Sequence, residues 1–181
     1  MEQDQSTLCN RVKGAAMKLP RIKTVSPEGA TALRIQWKGG GAARVDLAGW
    51  IATGGDMLAA LSASNVFRCA APSDYGSAVA WDDDDLRIDA VHLAKLAEEQ
   101  QPFGSREAAD WQASAGLSNH EAADMLGVSV STWNTYKAGS TVPVSAAIAC
   151  RAALRDPILM QAHYRPRRAA GRPRKNEAKR A

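Results

Sequence analysis

Apolar and polar residues alternate with a period of two in three short segments near the start of the chain. These segments are residues 21–26, 31–37 and 43–47, and proline and glycine residues lie in the turns between them. Strict alternation places the apolar side chains on one face of a strand. The three segments therefore predict half-buried strands of an antiparallel meander.

The rest of the first half of the chain has a less regular pattern. Residues 47–61 are expected to be loop with a short helix, and three further strands are predicted over residues 66–70, 78–81 and 86–88. A hinge at residues 72–76 separates the first two of these strands. Asp89 is a candidate N-cap for a helix over residues 90–100, and Pro102 and Gly104 indicate a linker after it.

The apolar spacing changes to a helical period after this linker. Ser118 followed by Glu121 has the sequence of a capping box, which predicts that a helix begins there. Ala123 and Leu126 continue its apolar face. Gly127 is expected to end the helix, because a glycine reverses the chain in a left-handed conformation without strain.

A second short helix is predicted directly after this turn. Ser129 is its candidate N-cap, and Trp133 and Tyr136, three residues apart, are expected to be its buried face, packed against Ala123 and Leu126. Gly139 ends it. A helix over residues 105–115 precedes the pair and another over residues 143–154 follows it.

The other face of the second helix carries short, mostly polar side chains of the kind that can reach base edges in a DNA major groove. Four residues are expected to face base edges: Val130, Ser131, Asn134 and Thr135. Five more are expected to bind phosphates: Ser118, Asn119, Ser129, Thr132 and Lys137. The alternative interpretation is structural, since paired amphipathic helices also occur in helical bundles that never bind DNA.

Residues 117–139 resemble the helix-turn-helix of the phage-repressor family, the λ repressor and Cro or xenobiotic-response-element type. The resemblance lies in Ala123, the Leu-Gly-Val-Ser turn at 126–129, Trp133, Tyr136 and Gly139. It implies a five-helix DNA-binding domain over residues 103–157. Asn119 stands where the family usually has a phosphate-binding Gln, and Lys137 stands where it often has Glu, so Lys137 could add a phosphate contact.

Residues 18–100 resemble a small α+β domain family of bacterial proteins whose function is unknown. The shared features are an opening Pro-Arg-Ile strand, a meander that ends in Val-Asp-Leu, and a Val-Ala-Trp strand that leads to an acidic turn. Some members carry a repressor-type helix-turn-helix behind this domain, and some lie beside toxin-like genes. The resemblance implies a fold and brings no catalytic residues with it.

Basic residues are concentrated at the C-terminus. Residues 165–181 contain eight Lys and Arg against Glu177 alone, whereas residues 101–164 contain four basic and five acidic residues. Residues 163–181 are therefore expected to be a disordered basic tail. Its Gly-Arg-Pro-Arg-Lys segment at 171–175 resembles an AT-hook, which would place Arg172, Arg174 and Lys175 in a minor groove. The alternative is a solvated tail that binds phosphates without reading sequence.

Other chemistry has little support in the sequence. Four consecutive aspartates at 82–85 are expected to be a solvated turn, and the three histidines and three cysteines are too scattered for a zinc site or a disulfide framework. No catalytic residue, metal or cofactor is expected. Neither a secretory signal nor a membrane span is predicted, so a cytoplasmic, nucleoid-associated protein is expected.

These expectations describe an α+β protein: a small antiparallel meander domain with short helices, an all-α repressor-like domain, and a disordered basic tail. The preferred hypothesis is a sequence-specific binder of double-stranded DNA that regulates transcription as a homodimer. The N-terminal domain would dimerise through a strand edge of its meander, sense a small ligand or bind a protein partner. The alternative hypothesis is an antitoxin-like interaction protein that binds DNA only to regulate its own synthesis.

Overall fold

The computed structural model describes residues 19–81 and 86–166. The chain divides into two compact units, residues 1–101 and 102–181, which we call the N-terminal unit and the C-terminal unit. The described part of the N-terminal unit contains two antiparallel three-stranded sheets with short helices, and that of the C-terminal unit contains helices. This architecture confirms the predicted α+β class. No helix in the described ranges has the length and apolarity needed to cross a membrane.

The first sheet is the predicted meander. It consists of β1 (Ile22–Glu28), β2 (Ala32–Trp37) and β3 (Ala42–Asp46) in the order β1-β2-β3. Leu33 pairs with Val45 and Ile35 pairs with Ala43, so that alternate residues of each strand share a face. Leu33, Ile35 and Val45 are completely buried, which confirms the phase of the alternation.

The second sheet is formed by β4 (Ala71–Ser73), β5 (Ala78–Ala80) and β6 (Arg87–Asp89). Three short helices lead to it, α1 (Ala48–Thr53), α2 (Asp56–Ala59) and α3 (Ser64–Phe67), and α4 (Ala90–Glu99) follows it. Asp89 caps α4 as expected, because its carboxylate accepts a 2.7 Å hydrogen bond from the backbone of His92.

The predicted strand over residues 66–70 is wrong. Val66 and Phe67 end α3, and β4 begins only at Ala71 and runs into the segment at 72–76 that was expected to be a hinge. A short apolar run does not distinguish a strand from a buried helical turn. Tertiary packing selects the helix, because Phe67 is completely buried beside Trp81 and its carbonyl accepts a 3.0 Å bond from the Trp81 indole.

The turn between β4 and β5 requires glycine at position 76. Gly76 has φ +85°, and a Cβ atom there would overlap the carbonyl oxygen of Ile22 on β1. The two residues before it, Asp74 and Tyr75, also have positive φ, 48° and 58°. The Tyr75 side chain is 94% exposed, and its carbonyl accepts a 2.8 Å hydrogen bond from Lys38.

The C-terminal unit has five helices in its described part: α5 (Ser105–Ser114), α6 (Asn119–Leu126), α7 (Val130–Lys137), α8 (Val144–Arg155) and α9 (Pro157–His163). α7 packs against α5 and α6, and α8 packs against α5, α6 and α9. Trp111, Ala122, Ala123, Trp133 and Cys150 form the centre of the core.

The sequence-based boundaries omitted α9. The predicted domain ends at residue 157 and the predicted tail begins at 163, whereas α9 occupies most of the interval between them. Its start has a local signal, since the Asp156 carboxylate accepts a 2.9 Å bond from the Ile158 backbone and Pro157 is in the first turn. Pro157, the last residue of the predicted domain, is thus the first residue of α9, and His163, the first residue of the predicted tail, is its last.

Candidate nucleic-acid interface

The junction of α6 and α7 has the local chemistry that the sequence predicts. The Ser118 hydroxyl accepts from the backbone of Glu121 at 3.3 Å, and the Glu121 carboxylate accepts from the backbone of Ser118 at 2.8 Å. Gly127 is left-handed, with φ +66°, and ends α6. Ser129 then caps α7 by accepting a 3.0 Å bond from the Thr132 backbone. The capping box, the turn and the second cap are all confirmed.

Trp133 determines which face of α7 is buried. It is completely buried, and its ring makes edge contacts with Trp111 at 5.6 Å and with Tyr136 at 6.4 Å between centroids. The predicted burial of Trp133 is confirmed, while Tyr136 is only partly buried. Because Trp133 faces inward, the opposite face of α7 lies in solvent.

That solvent face carries three of the four predicted base-reading residues. Ser131, Asn134 and Thr135 are exposed, whereas Val130 is half-buried and packs on the core. The Thr135 hydroxyl donates to the carbonyl of Thr132 at 2.7 Å, so it presents mainly its oxygen lone pairs outward. Contacts of these side chains with DNA stay predictions.

Four of the five predicted phosphate-binding residues lie at the starts of α6 or α7, two at each helix. Ser118 and Ser129 are the exposed N-caps of α6 and α7, and Asn119 and Thr132 are half-buried in the first turns. The first backbone N–H groups of each helix have no partner within the helix. Together with the positive end of the helix dipole, they make these two termini suitable for an anion.

The fifth predicted phosphate ligand, Lys137, lies at the other end of α7 inside a polar network. Its Nζ donates to Gln112 Oε1 at 2.9 Å and to Asn119 Oδ1 at 2.6 Å, and it lies 6.0 Å from the centre of the Trp133 ring. Lys137 is half-buried. In this arrangement two of its three N–H groups bond within the protein.

Gln112 of α5 is the centre of the network. Its Oε1 also accepts from the Trp133 indole at 2.9 Å, and its Nε2 donates to Leu117 O and to Asn119 Oδ1, both at 2.9 Å. Asn119 Nδ2 donates in turn to Asn134 Oδ1 at 3.1 Å. The network connects α5, α6 and α7, and it reaches the solvent face of α7 at Asn134.

Sequence reasoning missed three residues that support this region: Trp111, Gln112 and Tyr164. Trp111 follows Ala108 at helical spacing, which was a usable signal for the buried face of α5. Gln112 had no such signal. The Tyr164 hydroxyl donates to Glu121 Oε1 at 2.9 Å, and this bond to a carboxylate raises the pKa of Tyr164.

Cys150 belongs to the core beneath these helices. The side chain is completely buried, and burial raises the pKa of its thiol to about 12. A thiol with so little thiolate at neutral pH is a poor nucleophile. Across residues 19–81 and 86–166, no cluster of three His, Cys, Asp or Glu side chains could hold a metal ion.

Some predicted features lie outside the described residues. They are the AT-hook-like residues Arg172, Arg174 and Lys175 and the acidic run at 82–85.

Within the described C-terminal unit, Arg106 forms an exposed ion pair with Asp110 at 3.8 Å, and positive charge is scarce on the solvent face of α7.

No protein-family model matches the chain, and no curated protein matches it in sequence. Among solved structures, the chain is similar to a protein of Nitrosomonas europaea ATCC 19718 that is described as a candidate DNA-binding protein. The two are 23% identical with a TM-score of 0.42, over 73% of this chain and 84% of the other. A likeness of this size carries no conclusion about function.

Proposed function

We propose that the C-terminal unit binds double-stranded DNA through a helix-turn-helix formed by α6 and α7, and that the protein is a sequence-specific transcriptional regulator. The observation that carries this proposal is the solvent face of α7. It presents Ser131, Asn134 and Thr135 side by side on a helix whose N-terminus is capped by Ser129, and Asn119 in the first turn of α6 donates a hydrogen bond to Asn134.

The dimensions of α7 suit a major groove. Its eight residues give a length of about 12 Å at 1.5 Å per residue, and the groove is about 12 Å wide. The buried indole of Trp133 holds the helix against α5 and α6, so the reading face is rigid before DNA arrives. A preformed recognition surface loses little conformational entropy on binding.

Phosphate contacts would come from the helix termini and from outside the folded unit. The first backbone N–H groups of α6 and α7 offer neutral donors that orient a helix on the DNA backbone. Residues 101–164 carry four basic and five acidic residues, so they supply little long-range attraction. The eight basic residues of 165–181 would supply it.

A homodimer remains part of the proposal, because one short helix reads only a few base pairs and a second copy doubles the site. Two-fold symmetry predicts half-sites about 10 base pairs apart or a multiple of one helical turn. The N-terminal meander is the proposed contact. Its β3 edge is partly covered, since the Gln100 side chain accepts from Asp46 N at 2.8 Å and donates to Asp46 O at 2.7 Å.

Selection of bound sequences from random duplex DNA with the full chain tests the proposal. We expect one enriched motif with two related half-sites. Thr135→Ala should change the preferred bases with little loss of non-specific affinity, whereas Ser145→Ala, at an exposed position of α8, should change neither. Failure of the full chain to enrich any sequence would contradict specific DNA binding.

The second candidate function is an antitoxin-like interaction protein, and Tyr75 is the observation that favours it. An aromatic side chain that is 94% exposed, on a turn with two successive left-handed non-glycine residues, is typical of a contact point for another protein. Co-expression with the product of the adjacent reading frame tests this function. Co-purification that Tyr75→Ser abolishes would support it, and no co-purification would refute it.

A further inference from the structure

The polar network beneath α7 has donors at one end that cannot accept a hydrogen bond. The ammonium group of Lys137 and the indole N–H of Trp133 are donors only. Both donate to Gln112 Oε1, and Lys137 also donates to Asn119 Oδ1. These two groups therefore require oxygen, and exclude an NH₂ group, at the atoms of Gln112 and Asn119 that face them.

The orientation of both amides follows from these donors. With Oε1 of Gln112 turned toward Lys137, Nε2 faces the carbonyl of Leu117, which only accepts, at 2.9 Å. A flipped Asn119 would place its NH₂ group against both the Lys137 ammonium and the NH₂ of Gln112. Neither amide can reverse without losing several hydrogen bonds and bringing donors together.

The orientation of the Asn119 amide determines the orientation of the Asn134 amide at the surface. Its Nδ2 faces Asn134 at 3.1 Å, so the atom that Asn134 turns toward it must be Oδ1. The two N–H groups of Asn134 Nδ2 then point away from Asn119, and Asn134 is exposed on the face of α7 proposed to enter the groove. No hydrogen bond among the described residues uses these two N–H groups.

We propose that Asn134 is a specificity-determining residue that presents the two N–H groups of its amide to DNA and turns its oxygen toward Asn119, because Lys137 and Gln112 fix the direction of the Asn119 amide. This inference rests on the proposed DNA-binding function. An unconstrained Asn favours adenine, which needs one donor and one acceptor from the amide. Asn134 would instead favour edges with acceptors alone, the N7 and O6 atoms of guanine or the O4 atom of thymine.

Lys137 becomes a positioning residue under this proposal. The sequence-based expectation is a phosphate contact, which would make the Lys137 charge contribute equally to every DNA sequence. The network assigns it a different effect, on the choice between guanine and adenine at one position. The two roles can be separated, because a phosphate contact changes the salt dependence of binding and an amide orientation does not.

The test starts with sequence selection on the full chain, followed by binding to four duplexes that differ only at the position read by residue 134. We expect guanine or thymine to bind roughly 5- to 100-fold more tightly than adenine or cytosine there. Asn134→Asp presents an acceptor instead and should reverse the preference toward cytosine or adenine. This substitution is at an exposed position, so it tests the amide without disturbing the core.

Lys137 variants then test the origin of the preference. Lys137→Met removes one of the two donors to Asn119 Oδ1 and leaves the other, Gln112 Nε2. We expect the discrimination against adenine to fall by part of its value while the salt slope stays unchanged. Lys137→Arg keeps a donor-only group and should keep the preference. A salt slope that drops by about one unit in Lys137→Met, with the base preference intact, would identify a phosphate contact and overturn the inference.

The outcomes for the parent protein separate the two proposals. If the chain enriches a motif that has no guanine or thymine at the position altered by Asn134→Asp, the inference about Asn134 is wrong and the DNA-binding function stands. If the chain enriches no sequence at all, both are wrong. Thermal melting of each variant is measured alongside, and Asn134→Asp decides the question if Lys137→Met does not fold.

Discussion

Replacement of Trp133 by alanine should remove most of the stability of the C-terminal unit. Trp133 is completely buried, and it touches the rings of Trp111 and Tyr136. Truncation of a fully buried Trp costs about 3–5 kcal/mol, because the indole leaves a cavity that its neighbours only partly fill. The two aromatic contacts, worth about 0.5–1.5 kcal/mol each, favour the upper half of that range.

The lost hydrogen bond adds little to this magnitude. Gln112 Oε1 accepts from both Trp133 and Lys137, so it retains a partner in the variant and is not left as a buried unpaired acceptor. Small domains have a free energy of unfolding near the lower end of about 5–15 kcal/mol. Trp133→Ala should therefore leave the C-terminal unit barely folded at room temperature.

Hydrogen exchange followed by mass spectrometry measures this effect separately in each unit. Peptides from α5 to α8 should lose nearly all protection in Trp133→Ala, while peptides from β1 to β3 serve as the internal control and should be unchanged. Trp133→Phe keeps a buried ring and should lose much less protection. Normal protection of α5 to α8 together with lost DNA binding would refute the argument, because it would mean that Trp133 is not part of the core.

Three further predictions concern the same unit. Tyr164→Phe should lower the melting temperature of the unit by removing the hydrogen bond to Glu121. Because the pKa of Tyr164 is raised, the difference in melting temperature between parent and variant should be largest below pH 10.0 and should disappear as the pH rises above it. A difference that persists at high pH would contradict this. The pKa of Cys150 is raised from 9.0 to about 12, so as the pH rises the thiol ionises in the unfolded chain before it ionises in the folded one. Denaturant titrations should therefore show that the free energy of unfolding falls above pH 9.0, and this fall should be absent in Cys150→Ala. Deletion of residues 165–181 removes eight basic residues. If half of them engage phosphates, the slope of log affinity against log salt should become shallower by about 3 to 4 units, and the preferred sequence should not change. An unchanged slope would mean that this segment does not contribute to DNA binding.

Local signals account for the parts of the protein that the amino-acid pattern predicted. The caps of α6 and α7 join residues only three positions apart, and the turn between them needs only the left-handed conformation of Gly127. The alternation in β1 to β3 identifies the buried face because side chains of a strand point to alternate sides. These features depend on neighbours along the chain, so the chain alone predicts them.

The remaining features depend on residues that are far apart along the chain and meet only in the folded structure. Whether residues 66 and 67 were strand or helix depended on Trp81, which covers Phe67 and binds its carbonyl. Lys137 was assigned to phosphate from its position on α7, but its partner Gln112 is 25 residues earlier, on another helix. The period of the apolar residues shows which face of a helix or strand is buried. Which side chain that face then contacts on a neighbouring helix or strand depends on the packing of the whole unit.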